Sequence, residues 1–113
     1  MRKDSERLRD ILDAIERIER YAARGREAFD NDELIRTWVV YHLQIIGEAA
    51  ARFDEAFREA HSDIPWVDIV AMRNVLVHEY FGIDPEEVWS VVQTDMQALK
   101  LAIRALLDAV TSD

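Results

Sequence analysis

Cysteine is absent from these 113 residues, which excludes a disulfide framework and any thiolate metal site and suits a reducing compartment. Glycine occurs three times and proline twice, scattered along the chain, so there is no glycine-rich phosphate loop and no flexible linker. No internal repeat is visible. No apolar run approaches the roughly twenty residues that span a bilayer. The opening Met1-Arg2-Lys3-Asp4-Ser5-Glu6 leads into an alternating-charge helix, with no apolar leader core. These absences predict a soluble cytoplasmic protein with no membrane partner. At 50% hydrophobic residues the length suits one domain over residues 1–113 built on a single core.

Other chemistries lack their residues. His42, His61 and His78 have no ligand spacing with one another or with acids, and no His-Glu-x-x-His helix occurs, so no metal is expected. Ser5, Ser62, Ser90 and Ser112 stand in no nucleophile context.

What is present is helical periodicity. Leu8, Ile11, Leu12, Ile15 and Ile18 recur at helical spacing up to Tyr21-Ala22, and Gly25 is a natural stop. A second helix is predicted from Asn31-Asp32-Glu33 to about Ala60. It carries two stripes, Val39-Leu43-Ile46-Ala50-Phe53-Phe57 and Leu34-Trp38-Tyr41-Ile45, which predict neighbours on two sides. Gly47, with Ala49 and Ala50, predicts a close helix contact, since mid-helix glycine otherwise costs about 1 kcal/mol. Pro65 is placed as the first residue of a central helix, with Gly82 at its end or just beyond. Asp84-Pro85-Glu86-Glu87 reads as a cap, an N1 proline and two first-turn acids. Val92, Met96, Leu99, Ile103, Leu106 and Val110 then mark the last helix. The fold class is all-α: an antiparallel bundle of four long helices, with a short fifth allowed by a break near Gly82 to Pro85. His42 and His61 read as structural or solvent-facing, and Trp38, Trp66 and Trp89 as core aromatics more readily than base-stacking platforms.

Charge is uneven. The net formal charge is −9, which opposes nonspecific nucleic-acid binding. Residues 1–26 nevertheless hold eight of the fourteen basic side chains against six acids, a local +2 that leaves −11 for the remainder. Interleaved charges of this kind ordinarily make a solvated, ion-paired helix face; the first helix is also the best cationic surface for a nucleic-acid substrate.

The central helix holds the informative stretch, Arg73-Asn74-Val75-Leu76-Val77-His78-Glu79-Tyr80. Val67, Ile69, Val70, Met72, Val75, Leu76 and Val77 surround the helical wheel, the pattern of a helix buried at a domain centre. Arginine is seldom buried without a partner. At 100° per residue Arg73 and Tyr80 share one side and Asn74 and His78 the adjoining one, which would make a polar strip facing a groove or a second subunit. Such a histidine reads as a satisfied structural residue or as a proton-transfer group. Glu48 reads either as a brace for Arg73 or as a surface acid.

Arginine, a polar residue and then histidine resembles the signature of the HEPN superfamily. The following Tyr80 resembles its HepT-like toxin branch. Leu34-Ile35, Ile46-Gly47-Glu48-Ala49, Ile64-Pro65-Trp66, Met72-Arg73-Asn74, Tyr80-Phe81-Gly82-Ile83-Asp84 and Val88-Trp89 resemble that branch in the same order, covering the chain from about Leu34. The resemblance implies an endoribonuclease that needs neither metal nor cofactor, with RNA as substrate. Arg73 and His78 would be catalytic, Asn74 and Glu48 supporting, and the product would end in a 2′,3′-cyclic phosphate. One histidine cannot easily be acid and base in one turnover, so a homodimer with the site at its interface is expected. The resemblance also implies a toxin–antitoxin pair: an MntA-like nucleotidyltransferase antitoxin would transfer AMP to Tyr80, which otherwise reads as a half-buried helix-end residue. The alternative is a non-catalytic helical subunit that binds or positions a nucleotidyltransferase.

Overall fold

A computed structural model describes residues 3–79 and 82–111. Among them lie α1 (Asp4–Ala22), α2 (Arg26–Asn31), α3 (Glu33–Ala51), α4 (Glu55–Ala60), α5 (Trp66–His78), α6 (Pro85–Ser90) and α7 (Met96–Thr111). A π-helical turn, Val91–Asp95, joins α6 to α7 with helical backbone at both junctions, so the three make one long rod. No strand occurs among the described residues. The fold is all-α, with four long rods as the periodicity predicts and two short helices at their connections.

The core lies where α1, α3 and α7 meet. Leu8, Ile11, Ile15 and Ile18 are fully buried along α1, facing a layer that includes Val39, Leu43, Ile46 and Ala50 of α3 and Met96, Ile103 and Leu106 of α7. Full burial of one such side chain contributes about 1.5–3 kcal/mol. Polar ties hold the rods antiparallel: Trp38 Nε1 donates to the Arg17 carbonyl at 2.9 Å, and Lys100 Nζ pairs with Glu19 at 2.6 Å. Arg104 lies 3.6 Å from Glu16.

Local chemistry sets the ends. Asp32 caps α3 by accepting from Leu34 N at 2.9 Å, and Asp84 caps α6 by accepting from Glu86 N at 2.9 Å with Pro85 at the first turn. α1 ends at Ala22, and Gly25 adopts φ 94°, a left-handed conformation that other residues rarely take, before α2 begins.

The helix predicted from Asn31 to about Ala60 is divided. α3 stops at Ala51, because the Asp54 carboxylate accepts from Phe57 N at 2.8 Å and starts α4. The break turns Phe53 inward, where it stacks on Phe57 at 4.7 Å and meets Trp66 at 5.1 Å. α5 starts at Trp66, with Pro65 preceding it as the cap residue.

One further expectation is corrected. α5 is not buried at the centre: its packing is against α3, only Trp66 and Leu76 are buried, and Val67, Val75 and Val77 are 80%, 47% and 45% exposed. α3, by contrast, meets neighbours on two sides as its two stripes predict, α1 and α5. Along the second stripe Trp38 and Ile45 are half-buried, Trp38 being tied to Arg17, while Leu34 and Tyr41 stand 80% and 58% exposed.

Candidate active site on the fifth helix

α5 runs antiparallel to α3, and its closest approach is at Gly47. A methyl group built on Gly47 would lie 2.2 Å from Arg73 Cβ, so only glycine lets the helices meet at this spacing. The contact predicted for Gly47 is therefore with the arginine itself. From the next position on α3, Glu48 Oε1 accepts from Arg73 Nη1 at 2.7 Å. The Arg73 side chain is 22% exposed and that of Glu48 46%, a half-buried ion pair. Such charge-assisted bonds are roughly twice as strong as neutral ones. Glu48 is thus the brace for Arg73. Arg73 Nε is buried and finds no acceptor among the described residues. Near the other end of the contact, Gln44 Nε2 approaches the Leu76 carbonyl at 3.5 Å.

Asn74 and His78 are exposed one turn apart, and His78 is the last residue of α5. His78 lies five positions after Arg73, about 140° around the helix. The guanidinium turns toward α3 while the imidazole stands on the outer face. Tyr80 lies outside the described residues.

Between α1 and α3 runs a groove of about 440 Å³ that reaches Glu48. Arg7, Arg17 and Arg52 line it, with Asp10, Asp13, Tyr41 and His42. Of this set the sequence singled out only α1 as a cationic surface. Tyr41, Ile45, Glu48 and Arg52, spaced by four, three and four, are the signal in α3 that marks the same face. His42 is structural: 4% exposed, its Nδ1 lies 2.8 Å from the Trp38 carbonyl and its ring 4.4 Å from the Trp38 ring. Trp66 and Trp89 are buried core aromatics. No cluster of three metal-ligating side chains occurs among the described residues, nor does any helix there have the length and apolarity to cross a membrane.

The ribonuclease HepT-like family matches residues 11–106, which takes in α3, Gly47-Glu48 and the whole Arg73-to-His78 segment. The chain belongs to this family. Among HepT-like relatives, "Probable ribonuclease HepT" of Thermococcus cleftensis is 37% identical over 100 residues, covering 88% of this chain and 91% of its own. "Gamma-glutamylcyclotransferase and putative RNase" of Methanocaldococcus jannaschii is 36% identical over 110 residues, 96% of this chain. The present chain spans 50% of that protein's length. No solved structure matches.

Proposed function

We propose that this HepT-like chain is a metal-independent endoribonuclease toxin whose site forms where two copies of α5 face each other. The observation that carries the reading is the under-covered α5 itself, which presents Arg73 paired with Glu48 of α3 and carries His78 on an outer face with exposed Val67 and Val75. Pairing two such faces about a two-fold axis removes apolar surface from water and brings two imidazole groups into one cleft, with the Arg73 guanidinium groups at its edges beside α3.

In that cleft one His78 takes the proton of a ribose 2′-hydroxyl, whose oxygen bonds to the adjacent phosphorus. The bond to the 5′-oxygen breaks, and the second copy's His78 gives that oxygen its proton. The products are a 2′,3′-cyclic phosphate and a 5′-hydroxyl. Arg73 stabilises the charge that accumulates on the phosphorane oxygens. Glu48 occupies one of its terminal nitrogens and thereby aims the rest of the fork, while Asn74 orients phosphate or imidazole. The whole chain, residues 1–113, acts as one HEPN-like domain.

Control falls to a nucleotidyltransferase antitoxin that transfers AMP to Tyr80. A nucleotide two residues from His78 adds negative charge and bulk where the substrate phosphate sits.

The test uses purified, unmodified protein with RNA in excess chelator. Cleavage that yields cyclic-phosphate ends, and that is lost in His78→Ala and in Arg73→Lys, supports the reading. Cleavage that requires added Mg²⁺, or that persists in His78→Ala, overturns it. Co-expression with the cognate nucleotidyltransferase should add AMP to Tyr80 and silence the enzyme, and Tyr80→Phe should escape. Neutralisation with Tyr80 unmodified assigns control to complex formation instead.

A further inference from the structure

On the flank of α5 away from Glu48, a second groove opens between α5 and the π turn with α7. It encloses about 470 Å³, within the usual range for a binding cleft. Leu43 and Ile46 of α3 lie on its floor, Ile69 and Met72 of α5 on one wall, and Met96 and Leu99 on the other. The α7 side continues from Val91 to Ala102. Those eleven steps measure about 16 Å, or three helical turns.

Every charged residue in the lining is an acid: Asp63, Asp68 and Asp95, all exposed at the rim. An apolar trough three turns long with an anionic rim has the form of a helix-in-groove site. We infer that this groove docks an amphipathic helix of a partner protein, with leucine-like side chains entering the trough and lysines or arginines on its flanks meeting Asp63, Asp68 and Asp95.

Charge selects that occupant over a second copy. The chain carries −9, and self-association here would bring acidic rims together. The π turn contributes both Val91 and Asp95, and its shape is pinned by Thr94 Oγ1 donating to the Ser90 carbonyl at 2.6 Å. None of Glu48, Arg73, Asn74 and His78 lines the trough, and this inference does not depend on RNA cleavage.

The test measures fluorescence anisotropy of the full chain with a synthetic amphipathic peptide of leucines at i, i+3, i+4 and i+7 flanked by lysines. Binding near micromolar affinity is expected. It should weaken at least ten-fold in Leu99→Asp and in the triple variant Asp63→Asn, Asp68→Asn, Asp95→Asn, and disappear when the peptide lysines become glutamates. If Leu99→Asp loses its helical circular dichroism, the triple variant, altered only at exposed groups, decides. Equal binding by a scrambled peptide of the same composition overturns the inference, as does equal binding by the wild type and the triple variant. If sedimentation shows a dimer that Leu99→Asp dissociates without loss of helicity, the groove belongs to a second copy, and the inference fails in that way instead.

Discussion

α1 and α5 are both rich in branched aliphatic residues, yet they spend them differently. Leu8, Ile11, Ile15 and Ile18 of α1 are fully buried between α3 and α7, whereas α5 buries one aliphatic side chain, Leu76, and leaves three valines exposed. α1 also separates its faces, with charges outward. α5 does not separate its faces in this way: exposed valines stand among the exposed Asp68, Asn74 and His78. Hydrophobicity decides that a helix needs cover; neighbours decide whether a single chain provides it. α1 therefore supports the fold, and α5 leaves apolar surface uncovered.

The difference can be sharpened first by truncation. Ile15→Ala should destabilise the chain by about 2–5 kcal/mol, and Val75→Ala by no more than about 0.5 kcal/mol when the chains are dilute. Urea unfolding at two protein concentrations measures both, and similar costs would erase the distinction. Next, Gly47→Ala forces a methyl group against Arg73 and should cost about 1–3 kcal/mol while displacing the guanidinium. A fall in RNA cleavage beyond the loss of folded protein would tie helix spacing to catalysis. Introducing charge on α5 with Val75→Asp and Val77→Asp should preserve helicity and abolish dimers in light scattering; a persistent dimer would place the subunit contact elsewhere.

Smaller effects follow. Glu48→Gln keeps a hydrogen-bond acceptor for Arg73 but removes the charge, so cleavage should fall roughly ten-fold, less than in Arg73→Lys. The smallest effect belongs to Arg26, which bridges Asp30 and Glu86 at the surface. Its guanidinium is held above the ordinary arginine range by the hydrogen bond to Glu86 and then that to Asp30. Arginine is charged throughout the working pH range, so this gives no pH dependence to stability. Arg26→Ala should leave the thermal midpoint nearly unchanged, because exposed pairs are screened and carry the entropy cost of ordering.

Much of this architecture was legible from spacing. The Leu8-to-Ile18 stripe, the Asp32 and Asp84 caps and the demand of Gly47 for a close neighbour are each set by adjacent residues, which periodicity and capping read directly. Asp54 was legible too, but an unbroken apolar stripe from Val39 to Phe57 masked the cap within it. The exposure of α5 was not legible, because apolar content gives the need for burial without saying which molecule meets it. Glu48 was open for a similar reason: a half-exposed acid becomes a brace only when the antiparallel crossing at Gly47 brings Arg73 beside it.

The π turn at Val91–Asp95 has a consequence for reading relatives of this chain. Its i→i+5 hydrogen bonding holds one residue more than an α-helical turn. Deleting a single residue there would rotate everything after it by about 100°, swinging Ile103 and Leu106 off the α1 interface unless the turn reverts to α geometry. A one-residue gap in a homologue at this point therefore denotes a turn that has been rewound, with the helix beyond it still in phase.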